Sequence, residues 1–217
     1  MAITAQALAG PAPDCGLCPR LVAFRRDNRK AHADWFNGAV PAFGPATARV
    51  LVVGLAPGLQ GANRTGRPFT GDYAGVLLYP TLLKFGLAKG TYGADPGDGL
   101  TLVDCRITNA VRCVPPANKP TPAEQNTCRS FLVAEMAALP KLKAILALGR
   151  IAHDAVVTTL GLRKSAVPFG HGKIHKISDK LILADSYHCS RYNVNTGRLT
   201  TEMFEAVVKK VVGAANE

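Results

Sequence analysis

Short apolar runs alternate along the chain with longer segments in which apolar residues recur at helical spacing. Four runs predict buried β-strands, because glycine, proline or polar residues bound each of them: 50–53, 100–107, 144–148 and 181–185. Helices are predicted between and after these runs, at about 75–88, 122–138, 150–160 and 198–212. Strands that alternate with helices of about 10 to 15 residues favour a parallel sheet covered on both faces. We therefore predict an α/β fold, a three-layer α/β/α sandwich with a central four-stranded parallel sheet.

The chain has 217 residues, a length that suits one folded domain. Its hydrophobic share of 47% and charged share of 19% are typical of globular proteins and indicate no long disordered segment. The first residues lack the basic opening and apolar run of a signal peptide, and no window reaches the ~18 to 20 apolar residues of a membrane span. We expect a single domain over 1–217 that is monomeric, cytoplasmic and free of membrane contact.

Positive charge is in large excess, with a formal net charge of +11. Such an excess attracts a polyanion, because lysine and arginine displace counterions from phosphates. Nucleic acid is therefore the expected partner. Charge alone leaves open a basic protein with no such partner, because net charge governs association and not fold.

Six cysteines are present, and four of them form a pattern that suits metal binding. Cys15 and Cys18 form a Cys-x2-Cys pair, and Cys113 and Cys128 follow much later with fourteen residues between them. Four thiolates suit either tetrahedral zinc or a [4Fe-4S] cluster, and the spacing does not separate the two. Disulfides are disfavoured because they belong to secreted chains. The other two cysteines are interpreted as small buried hydrophobic residues.

Three unusual loops follow the predicted strands at their carboxyl ends: 54–72, the segment from Asn109, and 187–198. The first carries five glycines, which let the backbone approach a ligand closely. It lacks the Gly-Lys-Ser/Thr ending of a P-loop, which excludes nucleotide hydrolysis of that kind. Ligands of open α/β sheets bind beyond the carboxyl ends of the strands, so we expect the three loops to converge on one site.

Motifs spread over most of the chain resemble one protein family. They are Cys-x2-Cys-Pro-Arg at 15–20, Gly-Arg-Pro-Phe at 66–69, Ile-Thr-Asn-x-Val-x-Cys-x-Pro-Pro at 107–116, a further cysteine at 128 and His-x-Ser at 188–190. In this order they are similar to the iron–sulfur branches, families 4 and 5, of the uracil-DNA glycosylase superfamily. The resemblance implies an enzyme that flips a deaminated base out of DNA and hydrolyses its bond to deoxyribose, leaving an abasic site.

Two features favour family 5 over family 4. The first loop of family 4 has an acid at the position of Leu55 in this chain, and leucine does not polarise water. The segments 61–72 and 193–200 resemble family 5 signatures. Cys189 departs from the pattern, since the late motif usually has proline there. Family 5 implies action on uracil and on other deaminated bases such as hypoxanthine and xanthine, and a uracil-only family 4 enzyme stays as the alternative.

Breaking an N-glycosidic bond builds positive charge on the sugar and negative charge on the base, so a site must act at both ends of the bond. Phe69 offers an apolar face on which a flipped base can stack. Asn109 presents an amide that can donate to and accept from an imide edge. The alternatives are a core phenylalanine and a turn or cap asparagine.

His188 and Asp72 are the other catalytic candidates. His188 can donate to the base O2 as negative charge develops there, even when it is neutral. Asp72 corresponds to an acid that the family 5 resemblance implicates in hydrolysis, as activator of water or as stabiliser of the oxocarbenium ion. The alternatives are a structural histidine and an aspartate that caps the following helix, and capping does not exclude catalysis.

Further residues are assigned by their place in the loops. Base binding is expected from Gly54, Ala56, Pro57, Gly58 and Asn63. Phosphate contacts are expected from Arg64, Arg67, Arg191 and Arg198, and a wedge that fills the vacated stack is expected from Tyr192.

The resemblance also implies a [4Fe-4S] cluster on Cys15, Cys18, Cys113 and Cys128, which joins the N-terminal segment, about 1–45, to the rest of the domain. The cluster is then a staple or a DNA-docking platform and not the catalyst. The implied partner is DNA, as a duplex with a G·U-type mismatch or as a single strand. A zinc-stapled nucleic-acid-binding module without catalysis is the remaining alternative.

Overall fold

The structure, a computed structural model, describes residues 10–216. Its main sheet has five strands in the order β4-β1-β5-β7-β6. Four of them run parallel: β1 (Val50–Gly54), β4 (Cys105–Asn109), β5 (Ala144–Leu148) and β7 (Ile182–Ser186). The fifth, β6 (Ile174–Lys176), pairs antiparallel with β7 at the sheet edge.

The prediction of a four-stranded sheet was wrong, because it omitted the edge strand β6. β6 is three residues long and exposes both its ends, so no apolar run marks it in the sequence. The four parallel strands are confirmed, because a sheet covered on both faces produces continuous apolar runs. The run 100–107 divides into β4 and β3 (Thr101–Leu102), and β3 pairs with β2 (Ala88–Lys89). The break lies at Asp104, whose backbone is left-handed with φ 54°.

Seven helices occur between residues 10 and 216: α1 (Pro19–Ala31), α2 (Ala62–Thr65), α3 (Tyr73–Lys84), α4 (Pro122–Ala137), α5 (Arg150–Thr159), α6 (Arg191–Asn195) and α7 (Thr201–Asn216). The four predicted helices correspond to α3, α4, α5 and α7, with shifted ends. At the start of α4, Thr121 and Glu124 each accept a hydrogen bond from the other's backbone N–H, which satisfies two free amides. None of the seven helices is long and apolar enough to cross a membrane.

The helices cover the sheet in two layers, and the side chains of β1 show how. Val50 and Val52 pack with the residues of α3 and α7 on one face. Leu51 and Val53 pack with those of α4 and α5 on the other. Successive residues of a strand point to opposite faces, so one short strand contributes to both halves of the core. The predicted three-layer sandwich is confirmed.

The N-terminal helix α1 packs against the edge of this sandwich. Leu21 of α1 belongs to a third, small apolar cluster that also contains Val111 and two of the cysteines. Arg20, next to it, donates from two nitrogens to the carboxylate of Glu124 in α4, both at 2.7 Å. These contacts place the first Cys-x2-Cys pair beside the segment that carries the later cysteines.

Candidate active site

The carboxyl ends of β1, β4 and β7 open onto one cavity of about 990 Å³, measured with its open mouth. We call it the strand-end cleft. Its lining includes Phe69, Asp72, Asn109 and His188, together with Ala56, Pro57, Gly58 and Arg191. The structure therefore brings together the catalytic and stacking candidates from three separate loops.

Phe69 forms one wall of the strand-end cleft. Its ring lies 5.9 Å from the ring of His188, centroid to centroid, at an interplanar angle of 30°. Gly54 lies behind the ring: a Cβ there would come 2.5 Å from Phe69 Cζ, so only glycine lets the strand pass this close. Phe69 has a left-handed backbone with φ 53°, which is strained for a bulky residue and persists only where the surroundings impose it.

A buried ion pair imposes that conformation. Arg67 donates to both carboxylate oxygens of Asp98, at 2.8 and 2.7 Å, and to the hydroxyl of Thr70 at 2.7 Å. Tyr79 Oη donates to the carbonyl of Pro68 at 2.5 Å. Arg67 is only 5% exposed, so the prediction that it contacts a DNA phosphate was wrong. It anchors the loop that carries the stacking ring.

Asn109 ends β4 with a side chain that is 3% exposed. No residue in the described range donates a hydrogen bond to its Oδ1. A buried acceptor without a partner costs about 1–3 kcal/mol, and such an atom at a cavity indicates a ligand donor. The strand-end cleft therefore contains an amide free to bind.

Asp72 lies between the strand-end cleft and the start of α3. Its Oδ1 accepts from the N–H of Ala74 at 3.1 Å, which makes it the N-cap of the helix. Gly58, in the loop that follows β1, lies close to the other carboxylate oxygen, since a Cβ at this glycine would be 2.8 Å from Oδ2. Burial raises the pKa of Asp72, and the backbone hydrogen bonds from Ala74 and Gly75 oppose this rise. One carboxylate thus caps a helix and also lines the cavity.

His188 reaches the strand-end cleft from the loop after β7. Burial lowers the pKa of His188 to about 4, so its ring is neutral at pH 7. Between residues 10 and 216 no side chain or backbone group hydrogen bonds to this ring. A neutral imidazole keeps one N–H donor, so His188 offers a hydrogen bond without bringing charge.

Asn63 does not line the strand-end cleft. Its side chain is fully buried and donates from Nδ2 to Asn37 Oδ1 at 2.9 Å, so the prediction that it binds the base was wrong. The pair ties α2 to the N-terminal segment. Asn37 Nδ2 in turn donates to the carbonyl of His32 at 2.6 Å, which extends the contact to the end of α1.

The remaining residues predicted to contact DNA lie on the surface, and of these only Arg191 lines the strand-end cleft. Arg64, Arg191 and Arg198 are exposed, and Tyr192 is 70% exposed. The guanidinium of Arg191 lies over the ring of Tyr73, 5.4 Å from its centroid, at the rim of the strand-end cleft. DNA contacts by these side chains stay a prediction.

Tyr73 and Asn118 also line the strand-end cleft, and the sequence reasoning did not find them. Tyr73 directly follows Asp72, and that position was the only available signal. Asn118 ends a short 3₁₀ turn, Pro116–Asn118, in the proline-rich loop after Cys113, and it has a left-handed φ of 55°. No local pattern marked this loop as part of the wall.

The four predicted ligand cysteines line a second cavity of about 320 Å³, the cysteine cavity. All of them are free thiols. Arg25 Nη1 donates to the sulfur of Cys113 at 3.6 Å, and the backbone N–H of Arg112 donates to that of Cys128 at 3.3 Å. No three of these sulfurs lie within 4.8 Å of one another.

A buried charged network connects the cysteine cavity to the sheet. Glu135 of α4 accepts from Arg106 at 2.7 Å and from Thr108 at 2.8 Å, both in β4. It also accepts a short hydrogen bond from Arg112, the residue before Cys113. One carboxylate therefore fixes the strand that carries Asn109 and the turn that carries a cysteine.

Comparison with known proteins agrees with this geometry. The family description "Uracil DNA glycosylase superfamily" matches residues 41–212. This match covers most of the chain, and the chain therefore belongs to the uracil DNA glycosylase superfamily.

Within the superfamily the similarity is to proteins named Type-5 uracil-DNA glycosylase. The one from Thermus thermophilus is 48% identical over 199 residues, 89% of this chain and 90% of the relative. The one from Mycobacterium tuberculosis is 41% identical over 210 residues, 92% of this chain and 78% of the relative. A Type-4 uracil-DNA glycosylase from Pyrobaculum aerophilum is 34% identical over 141 residues, 64% of each chain. The predicted resemblance to family 5 is confirmed.

Proposed function

We propose that the chain hydrolyses the N-glycosidic bond of uracil in DNA and leaves an abasic site. The observation that carries the proposal is the strand-end cleft, in which Phe69, Asp72, Asn109 and His188 meet. A stacking ring, an unpaired amide, a carboxylate and a neutral imidazole supply what the reaction needs at both ends of the bond. The names of the relatives support the same activity.

On the base side, Phe69 and Asn109 bind the flipped uracil. Stacking on an aromatic ring contributes roughly 1–3 kcal/mol per base. The free Oδ1 of Asn109 accepts from the uracil N3–H, and its Nδ2 donates to O4. Cytosine offers no N3–H and turns an amino group toward Nδ2, so it leaves buried polar atoms unpaired and binds less well.

His188 acts where the base leaves. Negative charge develops on the uracil oxygens as the bond breaks, and a neutral imidazole N–H donates to O2. Its pKa of about 4 keeps the ring neutral over the physiological range, so it stabilises the anion by a hydrogen bond and not by transfer of a proton.

Asp72 acts on the sugar side. Its carboxylate is held by the N-terminus of α3 on one side and by Gly58 on the other, and these contacts restrict its orientation in the strand-end cleft. Two roles suit a carboxylate there: it orients and deprotonates the attacking water, or it stabilises the positive sugar.

Recognition of DNA rests on the charge of +11 and on exposed residues, of which Arg191 lines the strand-end cleft. Arg64, Arg191 and Arg198 contact phosphates, and Tyr192 fills the stack that the base leaves. Flipping costs a few kcal/mol and costs less at a mismatch, so a G·U pair is the favoured substrate and a single strand is also accepted.

The open mouth of the strand-end cleft supports action on hypoxanthine and xanthine as well. The protein acts as a monomer in the cytoplasm.

The residues of the cysteine cavity fit a [4Fe-4S] cluster. Four thiols line it, and the guanidinium of Arg25 and the backbone N–H of Arg112 donate to two of the sulfurs, as suits a cluster of net negative charge. Cys15, Cys18, Cys113 and Cys128 would hold it. When bound, the cluster supplies a covalent link between the N-terminal segment and the loop after β4, so that 1–217 folds as one domain.

The test is release of free uracil from a duplex with a single G·U pair, measured with the cluster-loaded protein. We expect release by the parent and loss of most of the rate in Asp72→Ala, with the cluster's visible absorbance unchanged and the folding stability lowered only by the roughly 0.5–2 kcal/mol of the lost N-cap. A parent that releases no uracil contradicts the proposed activity. An Asp72→Ala variant as fast as the parent contradicts the role of Asp72 alone.

A further inference from the structure

The ring of His188 has no hydrogen bond within the described chain, so its direction depends on the backbone on either side of it. Three side chains hold that backbone, among them Ser186, which binds the carbonyl of Tyr187. His171 Nδ1 accepts from the N–H of Tyr187 at 3.2 Å, in the peptide that joins Ser186 to Tyr187. Asn193 Nδ2 donates to the carbonyl of His188 itself at 2.9 Å, directly after its Cα. A Cβ at Gly149 would lie 3.4 Å from His188 Cβ, so this residue borders the loop on a third side.

His171 is itself held by more than one contact. Its ring stacks on the ring of Tyr187, with centroids 4.9 Å apart and an interplanar angle of 15°. The next residue, Gly172, donates from its backbone N–H to the carbonyl of Asp185 at 2.8 Å, which fixes the turn to β7. Ser186 Oγ donates to the carbonyl of Tyr187 at 2.9 Å, which leaves His171 Nδ1 to accept from the amide.

A second pair of histidines secures the same end of β7. The carboxylate of Asp185 is fully buried and lies 2.7 Å from His153 Nδ1 and 3.2 Å from His175 Nε2. His153 Nε2 lies 2.8 Å from the carbonyl of Val167, so both nitrogens of this ring are used. The end of β7, from which the His188 loop continues, is therefore bound to α5 through His153 and to β6 through His175. The turn that carries His171 lies between α5 and β6 in the chain.

We propose that His171 and Asn193 are positioning residues for His188: His171 fixes the Ser186–Tyr187 peptide, Asn193 fixes the peptide that follows His188, and together they set the direction of its imidazole in the strand-end cleft. The proposal rests on the proposed function, in which His188 donates to the departing base. A misplacement of about 1 Å in such a donor lowers a rate by about a hundredfold. Two hydrogen bonds to the backbone replace the direct contact to the ring that the structure lacks.

A matched pair of substitutions separates the hydrogen bond from the stacking. His171→Asn keeps an acceptor near the place of Nδ1 and loses the ring, whereas His171→Phe keeps a stacking ring and loses the acceptor. We measure the single-turnover rate of uracil release from the G·U duplex and the Kd for the same DNA, using the full-length, cluster-loaded protein. We expect His171→Phe to lose at least about tenfold in rate with Kd within about twofold of the parent, and His171→Asn to keep most of the rate. Asn193→Leu, which removes the donor, is expected to behave like His171→Phe and replaces it if that variant does not fold.

A double-mutant cycle then tests whether His171 acts through His188. In a His188→Ala background, His171→Phe should cause no further loss, because the ring that it positions is gone. The proposal is overturned by a full additional loss in that background, by equal losses in the two His171 variants, or by a folded His171→Phe variant as fast as the parent. These outcomes require an active parent, so they are distinct from failure of the proposed function, in which the parent itself releases no uracil.

Discussion

The strand-end cleft and the cysteine cavity both border buried polar atoms that have no partner within residues 10–216, and the two sets are opposite in character. At the strand-end cleft the atom is an acceptor, Asn109 Oδ1. At the cysteine cavity the atoms are cationic donors, Nε of Arg25 and Nε of Arg112. An acceptor suits the N–H of a neutral base, and cationic donors suit a group built on thiolates. The unpaired buried atoms thus indicate the polarity of what each cavity takes up.

Glu135 lies between the two cavities and has all its partners within the protein. Substitutions at groups paired within the protein and at groups that line the strand-end cleft should therefore separate stability from activity. Four predictions test this separation, in order of the expected free-energy effect.

The largest effect is expected at Glu135. Glu135→Gln removes a buried charge that faces two arginines, and breaking a buried pair in this way costs about 3–5 kcal/mol of folding stability. Urea unfolding measures the loss, and the uracil-release rate per folded molecule should stay the same. The matched control is Glu205→Gln, whose pair with Lys84 lies at the surface and is worth about 0–1 kcal/mol. Equal losses in the two variants would show that the buried network adds no stability.

Two buried asparagines provide the second test. Asn109→Ala removes an amide without protein partners, so the rate should fall by about 10²- to 10³-fold while the thermal midpoint stays within error. Asn63→Ala removes an amide outside the strand-end cleft whose Nδ2 donates to Asn37, so it should lower the thermal midpoint and leave the rate of the folded protein unchanged. The same pattern in both variants would contradict the distinction between an amide that lines the cleft and one that does not.

Two glycines provide the third test. Gly58→Ala places a methyl group against the Asp72 carboxylate, and the displaced carboxylate should lower the rate by about tenfold. Gly213→Ala lies in α7 with open space around it, so it should stabilise the protein by about 0.5–1 kcal/mol with no change in rate. If Gly58→Ala is as fast as Gly213→Ala, then the close approach of the loop has no part in the reaction.

The smallest effect is a dependence on pH. In the proposed function Asp72 acts as a carboxylate, and burial raises its pKa above the ordinary value of an aspartate, so the rate should fall as pH drops through this raised pKa. His188, with a pKa of about 4, should add no further limb above about pH 5. Single-turnover rates between about pH 4 and 8 measure this fall of the rate at low pH, which should persist in His188→Gln. Its disappearance in that variant would assign the limb to the histidine.

The sequence predicts the parallel sheet and its helices because strands buried on both faces are mostly apolar, although β4 also buries Arg106 and Thr108, both paired with Glu135. It does not predict β6, since a short edge strand with exposed ends has no such requirement. The convergence of Phe69, Asp72, Asn109 and His188 follows from the same rule, because the carboxyl ends of parallel strands meet at one edge. The site is therefore predictable to the extent that the strands are.

Single polar residues in the loops are harder to assign. Arg67 and Arg191 both lie in basic, glycine-containing surroundings, yet one is buried and the other exposed. The difference is the distant partner Asp98, which no local pattern connects to Arg67. Asn63 was misassigned for the same reason, because Asn37 comes from another segment. Burial of a loop side chain depends on contacts that sequence spacing does not contain.

The cysteine cavity also sets an order of events during biosynthesis. Cys15 and Cys18 leave the ribosome early, whereas Cys128 is made only after β4 and the first turns of α4 have been translated. Until residues 111–128 are translated, α1 lacks both Val111 and Glu124 as packing partners, and the first two thiols lack the two later ones. The cysteine cavity is therefore complete only late in synthesis, and a nascent chain that stalls before β4 carries two thiols beside a helix that lacks these partners.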